Sequence, residues 1–142
     1  MMSLFPHKKP REQQVEAMSF IDKSFVSEQK KFCIIEAGTG VGKSALGVYA
    51  ANVLEMLKSE KDLGSYFLTT QKILQDQYMH DFHKNQNMLS LKSSSNYSCK
   101  YYKGTNCGES LRLLKTADKN SKFFKCCSYG CTYRKEKERF ID

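Results

Sequence analysis

Apolar residues recur at three- and four-residue spacing across residues 11–28, where Val15, Met18, Ile21 and Phe25 fall on one helical face. Pro10, just ahead, suits a first helical position. The unbroken run Phe32-Cys33-Ile34-Ile35 predicts a short buried strand over residues 31–36. A helix from 45 to about 58 follows, with Leu46, Tyr49, Ala50, Val53, Leu54 and Leu57 around much of its surface, as on a helix laid against a sheet. Asp62-Leu63-Gly64 predicts a turn, residues 65–70 a second strand, and 71–82 a further helix. This β-α-β-α order predicts an α/β fold with a parallel sheet.

Composition changes at Ser93-Ser94-Ser95-Asn96, a polar hinge. Residues 97–133 are rich in Cys, Lys, aromatic residues and Gly, with a short helix predicted near 111–119. Too few aliphatic side chains remain there for an independent core, and small units of this kind are usually held by a metal. Residues 134–139 alternate in charge and predict the start of a solvated helix. The expected division is therefore 1–92, 93–133 and 134–142.

Between the first strand and its helix lies Ala37-Gly38-Thr39-Gly40-Val41-Gly42-Lys43-Ser44, a phosphate-binding loop in its expected strand–loop–helix setting. Glycines let the backbone curl so that N–H groups point at phosphate oxygens, and the helix start adds its positive dipole end. Lys43 is expected to reach the outer phosphates and Ser44 to ligate Mg²⁺. A nucleoside triphosphate is the implied ligand.

Charge changes the picture of the second half. The formal net charge of +8 is uneven: residues 1–91 hold 11 Lys/Arg against 10 Asp/Glu, and residues 92–142 hold 12 against 5. The excess suggests a surface for a polyanion, with a solvated basic face as the alternative. Five of the six cysteines, Cys99, Cys107, Cys126, Cys127 and Cys131, share this region, while Cys33 sits in the predicted first strand as a small buried hydrophobe. No apolar run approaches a membrane span and no export signal is visible, so a cytoplasmic chain without disulfides is expected. The clustered thiols then suggest a metal centre. Their spacing lacks paired C-x2-C knuckles, which leaves an iron–sulfur cluster, zinc and free thiols open. Lys100, Lys103, Lys125 and Arg134 are placed to favour thiolates.

Tyr101-Tyr102 beside Lys100 and Lys103, and Phe123-Phe124 between Lys122 and Lys125, fit aromatic-plus-cation binding of single strands, or packing around the metal site. His80 and His83 share a helix face and are read as solvent-facing.

The order of these motifs resembles the start of XPD/DinG-family DNA helicases. Pro10-Arg11-Glu12-Gln13-Gln14 is similar to the family's Pro-Arg-x-x-Gln segment, and residues 36–44 to its first motif. Thr69-Thr70-Gln71, with Leu74-Gln75-Asp76-Gln77, resembles motif Ia. Ser95-Asn96-Tyr97-Ser98-Cys99 and Cys131-Thr132-Tyr133 resemble the opening and close of the iron–sulfur domain. The resemblance implies an incomplete RecA-like ATP-binding domain with a [4Fe–4S] insertion and 5′–3′ helicase activity in the complete enzyme. It implies Arg11 and Gln14 at the base side, Gly38 to Gly42 as the cradle, and Thr69 and Thr70 against single-stranded DNA or a fork. Tyr101, Tyr102 and Lys103 join the DNA surface. Cys99, Cys107, Cys131 and Cys127, with Cys126 as its alternate, become the cluster ligands. No Asp-Glu dipeptide occurs in the chain, so the acidic motif needed for hydrolysis is missing. The chain resembles the first part of a helicase, inactive alone, whose partner is the missing C-terminal segment. A zinc- or cluster-bearing binding module and a small P-loop kinase are the other readings.

Overall fold

The structure, a computed structural model, describes residues 2–58 and 64–140, the side chains of 85 and 86 apart. Backbone proximity divides the chain into two units, Met1–Gln86 and Asn87–Asp142.

In the first unit, α1 (Glu12–Asp22) forms where the apolar periodicity placed a helix. Pro10 lies outside it; Arg11 is the capping residue, and its N–H donates to Gln14 Oε1 at 2.9 Å. The helix runs on into a π-helical turn, Lys23–Ser27. Of the four residues assigned to its inner face, Met18 and Ile21 are buried, Phe25 is half-buried and Val15 is exposed. Next come α2 (Lys43–Leu57) and α3 (Lys72–Gln86). The first-unit core gathers Met18 and Ile21 of α1 with Leu46, Val48, Tyr49 and Val53 of α2, together with Phe5 and Phe82. The Tyr49 hydroxyl donates to Asp22 Oδ1 at 2.7 Å, tying α2 to the end of α1. That bond satisfies a phenol buried among apolar neighbours.

The α/β expectation is overturned. Among the described residues no β-strand forms, and the RecA-like parallel sheet is not present. Residues 32–38 and 64–69 form no regular element and pair with nothing in a ladder. Burial alternates along both: Cys33, Ile35, Phe67 and Thr69 are half-buried, whereas Phe32, Ile34, Tyr66 and Leu68 are at least 79% exposed. The physical reason is that a strand exists through its hydrogen-bonded neighbours, and a two-stranded pairing is marginal on its own. Apolar content and alternation reported which way side chains point, and nothing about a partner. The expected turn at Asp62-Leu63 lies outside the described residues.

The second unit is built from short pieces. A 3-10 turn, Ser94–Asn96, leads to an isolated antiparallel bridge between Ser98 and Asn106. The intervening loop reverses at Gly104, whose φ of +81° favours glycine. Then α4 (Cys107–Leu113) begins four residues before the helix expected at 111, because Asn106 Oδ1 accepts from the Glu109 N–H and caps it. A 3-10 turn (Leu114–Thr116) follows it. Ser121 caps α5 (Lys122–Lys125), which passes into a π-helical turn, Cys126–Gly130, and Cys131 precedes α6 (Thr132–Glu138). The residues buried here are Cys107, Ser110, Phe123, Cys127 and Cys131. No described helix is long and apolar enough to cross a membrane.

Candidate nucleotide and cysteine sites

The phosphate-loop sequence forms a loop ending on α2, and its glycines are there for stated reasons. Gly40 and Gly42 have φ of +83° and +85°, a region L side chains avoid. At Gly42 a Cβ would also collide with the Gln14 amide nitrogen. Gly42 is the N-cap of α2 and supplies no side-chain acceptor, so the first turn of this 15-residue helix opens with backbone N–H groups and the positive dipole end.

Three side chains hold the loop's carbonyls. Lys43 Nζ donates to the carbonyls of Ala37 (3.0 Å) and Gly38 (2.8 Å). Arg11 Nη1 donates to Gly40 O at 2.6 Å, and Gln14 Nε2 to Gly42 O at 3.4 Å. Within a trans peptide the carbonyl and the next N–H point opposite ways. Turning the Gly40 and Gly42 carbonyls toward α1 therefore turns the N–H groups of Val41 and Lys43 to the other side. Sequence reasoning placed Arg11 and Gln14 at the base; the structure brings them to the loop itself, across 28 and 29 residues of chain. No local pattern carries a contact of that range. Lys43 is exposed, its ammonium has a third hydrogen for an anion, and Ser44, half-buried, follows it on the first turn of α2. Thr39 is exposed and Val41 half-buried within the loop.

Two concavities flank the loop. A groove of about 450 Å³ runs between α1 residues such as Glu16 and Phe20 and the segment from Ile34 to Gly38. An apolar cavity of about 240 Å³ lies between Ile21, Phe25, Leu46 and the inward side chains of Cys33 and Ile35. Cys33 is thus half-buried against apolar walls, in a segment without regular structure and not in a strand.

Thr69 and Thr70 lie at the end of the irregular segment before α3. The Thr69 hydroxyl accepts from the Gln71 N–H at 3.3 Å just before α3, and Thr70 is exposed. His80 is exposed, with Nδ1 2.9 Å from Asp81 Oδ1, and His83 is exposed as well.

In the second unit the structure brings Cys99, Cys107, Cys127 and Cys131 together. Each acts electrostatically on others of the group, and Cys107, Cys127 and Cys131 are buried. Cys126 is half-buried and adjoins Cys127. Burial first, then the neighbouring thiols led by Cys99, push the Cys127 thiol up to about 11. Burial and Cys131 raise Cys107. Cys99 goes the other way: burial pushes it up, but the polar groups around it, the Ser110 hydroxyl first, then the Tyr102 and Tyr101 backbone and Thr105, outweigh that and lower it. These dipoles, not the lysines singled out by the sequence, are the main influences; Lys100 Nζ goes to Gly130 O at 3.3 Å. Backbone amides also point at sulfur. The Tyr102 N–H lies 3.2 Å from Cys99 Sγ and the Arg134 N–H 3.4 Å from Cys131 Sγ.

Among the described residues no group of three or more His, Cys, Asp or Glu is arranged to hold a metal ion. That finding and the mutual influence of the thiols are compatible. A single zinc needs every sulfur about 2.3 Å from one point, whereas charge–charge effects reach further. A multi-iron cluster spreads its thiolates more widely than one ion does.

Tyr101 and Tyr102 pack edge to face at 4.9 Å and both contact the buried Phe123, at 5.4 and 5.1 Å. Both tyrosines remain at least 40% exposed, next to the exposed Lys103. The rings therefore serve the unit's core on one side and face solvent on the other.

A family model described as type III restriction enzyme, res subunit, matches residues 7–140. No curated protein and no solved structure matches the chain at a significant level.

Proposed function

Since the chain belongs to the family of the type III restriction enzyme res subunit, the N-terminal region of superfamily 2 helicases, we propose that it is the ATP-binding, iron–sulfur-bearing portion of a 5′–3′ DNA helicase of the XPD/DinG type. ATP with Mg²⁺, and nucleic acid, are the general ligands of a helicase-type region. The single observation that carries the nucleotide half is the loop at the head of α2. Its carbonyls are held by Lys43, Arg11 and Gln14, and its helix opens without a side-chain cap.

In this reading Lys43 exchanges the Ala37 and Gly38 carbonyls for the outer phosphates, a charge-assisted and stronger partnership. The N–H groups around Gly38, Thr39, Gly40, Val41 and Gly42 take the remaining oxygens, and the Ser44 hydroxyl meets Mg²⁺. Arg11 and Gln14 hold the cradle in shape. Residues 93–133 form the cluster-bearing lobe through Cys99, Cys107, Cys127 and Cys131, and 134–142 begin the return toward a motor. When bound, the inorganic group supplies a rigid crosslink among four thiolates. Thr69, Thr70, Tyr101, Tyr102 and Lys103 contact single-stranded DNA by stacking and phosphate pairing. The chain alone turns over little ATP, since it has no Asp-Glu dipeptide to hold Mg²⁺ and orient water.

Calorimetric titration with Mg·ATP tests the reading. Saturable binding that Lys43→Ala removes supports it, and equal affinity in the two proteins refutes it.

A further inference from the structure

The groove of about 450 Å³ beside the phosphate loop has walls whose chemistry changes in a fixed order. One wall is α1, where Gln13, Glu16, Ala17 and Phe20 share a face at three- and four-residue spacing. The other is the segment from Ile34 to Gly38, which runs into the loop. Arg11 and Gln14 bond to the carbonyls of Gly40 and Gly42, so α1 starts at the loop and leads away from it. Away from the loop, one wall presents Glu16 and then Phe20; the other presents Glu36 and then Ile34. Both walls therefore pass from the loop, through a carboxylate, to a large apolar side chain. Phe20 lies six residues beyond Gln14, about 9 Å along the helix.

The groove is also unsatisfied as it stands. Phe20 is 50% and Ile34 89% exposed, which leaves apolar surface open at the far end. Among the described residues, neither Glu16 nor Glu36 has a hydrogen-bond or ion-pair partner. A carboxylate only accepts hydrogen bonds, so the groove fits a ligand with donors at its middle and a flat apolar face beyond them. The same carboxylates repel phosphate and keep the charged part of a ligand at the loop. Phosphates, sugar and base follow one another in that order along a nucleotide.

We infer that the groove takes the nucleoside half of the triphosphate: Glu16 and Glu36 accept from the ribose hydroxyls, and Phe20 stacks on the base. The inference rests on the nucleotide reading of the loop and deepens it by naming the substrate class, ribonucleoside triphosphates in preference to their deoxy counterparts. Arg11 and Gln14, occupied at the loop, leave these contacts to the later turns of α1. An acidic side chain on the ribose 2′-hydroxyl is the arrangement dinucleotide sites use. Stacking on an aromatic ring is open to every base, so the sugar is what the carboxylates read. One hydrogen bond to a charged acceptor corresponds to about a tenfold change in affinity.

The test is calorimetric titration of the whole chain with Mg·ATP, Mg·dATP and inorganic tripolyphosphate. The proteins are wild type, the double variant Glu16→Ala with Glu36→Ala, and Phe20→Ala, all changed at exposed side chains. Wild type should bind ATP about tenfold more tightly than dATP. The double variant should lose that preference, and Phe20→Ala should weaken both nucleotides about tenfold while keeping it. Tripolyphosphate should bind every variant no less tightly than wild type. Equal wild-type affinity for ATP and dATP overturns the inference and leaves the loop reading standing, as does a preference that survives in the double variant. A variant that loses tripolyphosphate along with the nucleotides has lost its loop and not a sugar contact, which also overturns the inference. Wild-type protein that binds neither nucleotide overturns the loop reading and the inference together.

Discussion

The two units solve the problem of holding a small fold together in different ways. In Met1–Gln86 the buried side chains are mostly aliphatic and aromatic, with Ile21, Val48, Tyr49 and Val53 almost wholly out of solvent. In Asn87–Asp142 the buried apolar set is Phe123 and three cysteines. Burying a Val, Leu or Ile side chain stabilises by roughly 1.5–3 kcal/mol, and the second unit has none buried among its described residues. Its thiols are grouped, its aromatic rings stack partly in water, and its helices are seven residues or shorter. The first unit can organise its phosphate loop from its own packing. On the proposed reading, the second is held by a group that bridges its sulfurs. One sequence thus carries a packed half and, on that reading, a ligand-dependent half.

The largest way to break that contrast is to strip the bridging group. Chelation of the anaerobic protein should unfold residues 87–142, seen as loss of amide-exchange protection there, while α1 and α2 keep theirs. Equal protection in both units after iron removal would mean that the second half has a sufficient core after all. Next in size is Ile21→Ala. It should cost the first unit about 2–5 kcal/mol in denaturant melts, the range for emptying a fully buried aliphatic site. The visible absorbance of the cysteine unit should not change.

A variant that separates function from packing is Lys43→Ala. Removing an exposed ammonium should leave the first-unit melting point unchanged but weaken Mg·ATP binding about a hundredfold or more, as for two charge-assisted bonds. A smaller effect is expected from Tyr49→Phe, which loses the bond to Asp22 for about 1 kcal/mol. Its pH dependence sharpens the point. Burial, then the bond to Asp22 and its charge, raise the Tyr49 phenol above its ordinary 10. The unfolded chain therefore releases this proton first as pH climbs, and the folded state loses stability above pH 10. Across pH 6–9 the wild-type advantage over Tyr49→Phe should be flat, and it should shrink above 10. A difference that grows above pH 10 would contradict the assigned proton.

What the sequence made legible follows from which interactions are local. The three long helices were readable because a 3.6-residue period is written in consecutive residues, and α2 and α3 form close to their expected positions. The early start of α4 was also available, in Asn106-Cys107-Gly108-Glu109, a cap followed by an acidic residue three positions on. That no sheet forms among the described residues was not legible. Phe32 and Ile34 have the composition of a buried strand, but pairing is a relation with another segment, and here both stand 85% exposed or more. The roles of Arg11 and Gln14 were half legible: the motif marked them, while their contacts with Gly40 and Gly42 depend on how α1 meets the loop.

Iron and acid-labile sulfide analysis of protein purified without oxygen, set beside Cys127→Ser and Cys126→Ser, bears most directly on the ligand-dependent half. Brown wild-type protein with iron and sulfide in equal amounts, retained in Cys126→Ser and lost in Cys127→Ser, is the predicted result. Colourless wild-type protein in which Cys99, Cys107, Cys127 and Cys131 all react as ordinary thiols, with the second unit still folded, would contradict it.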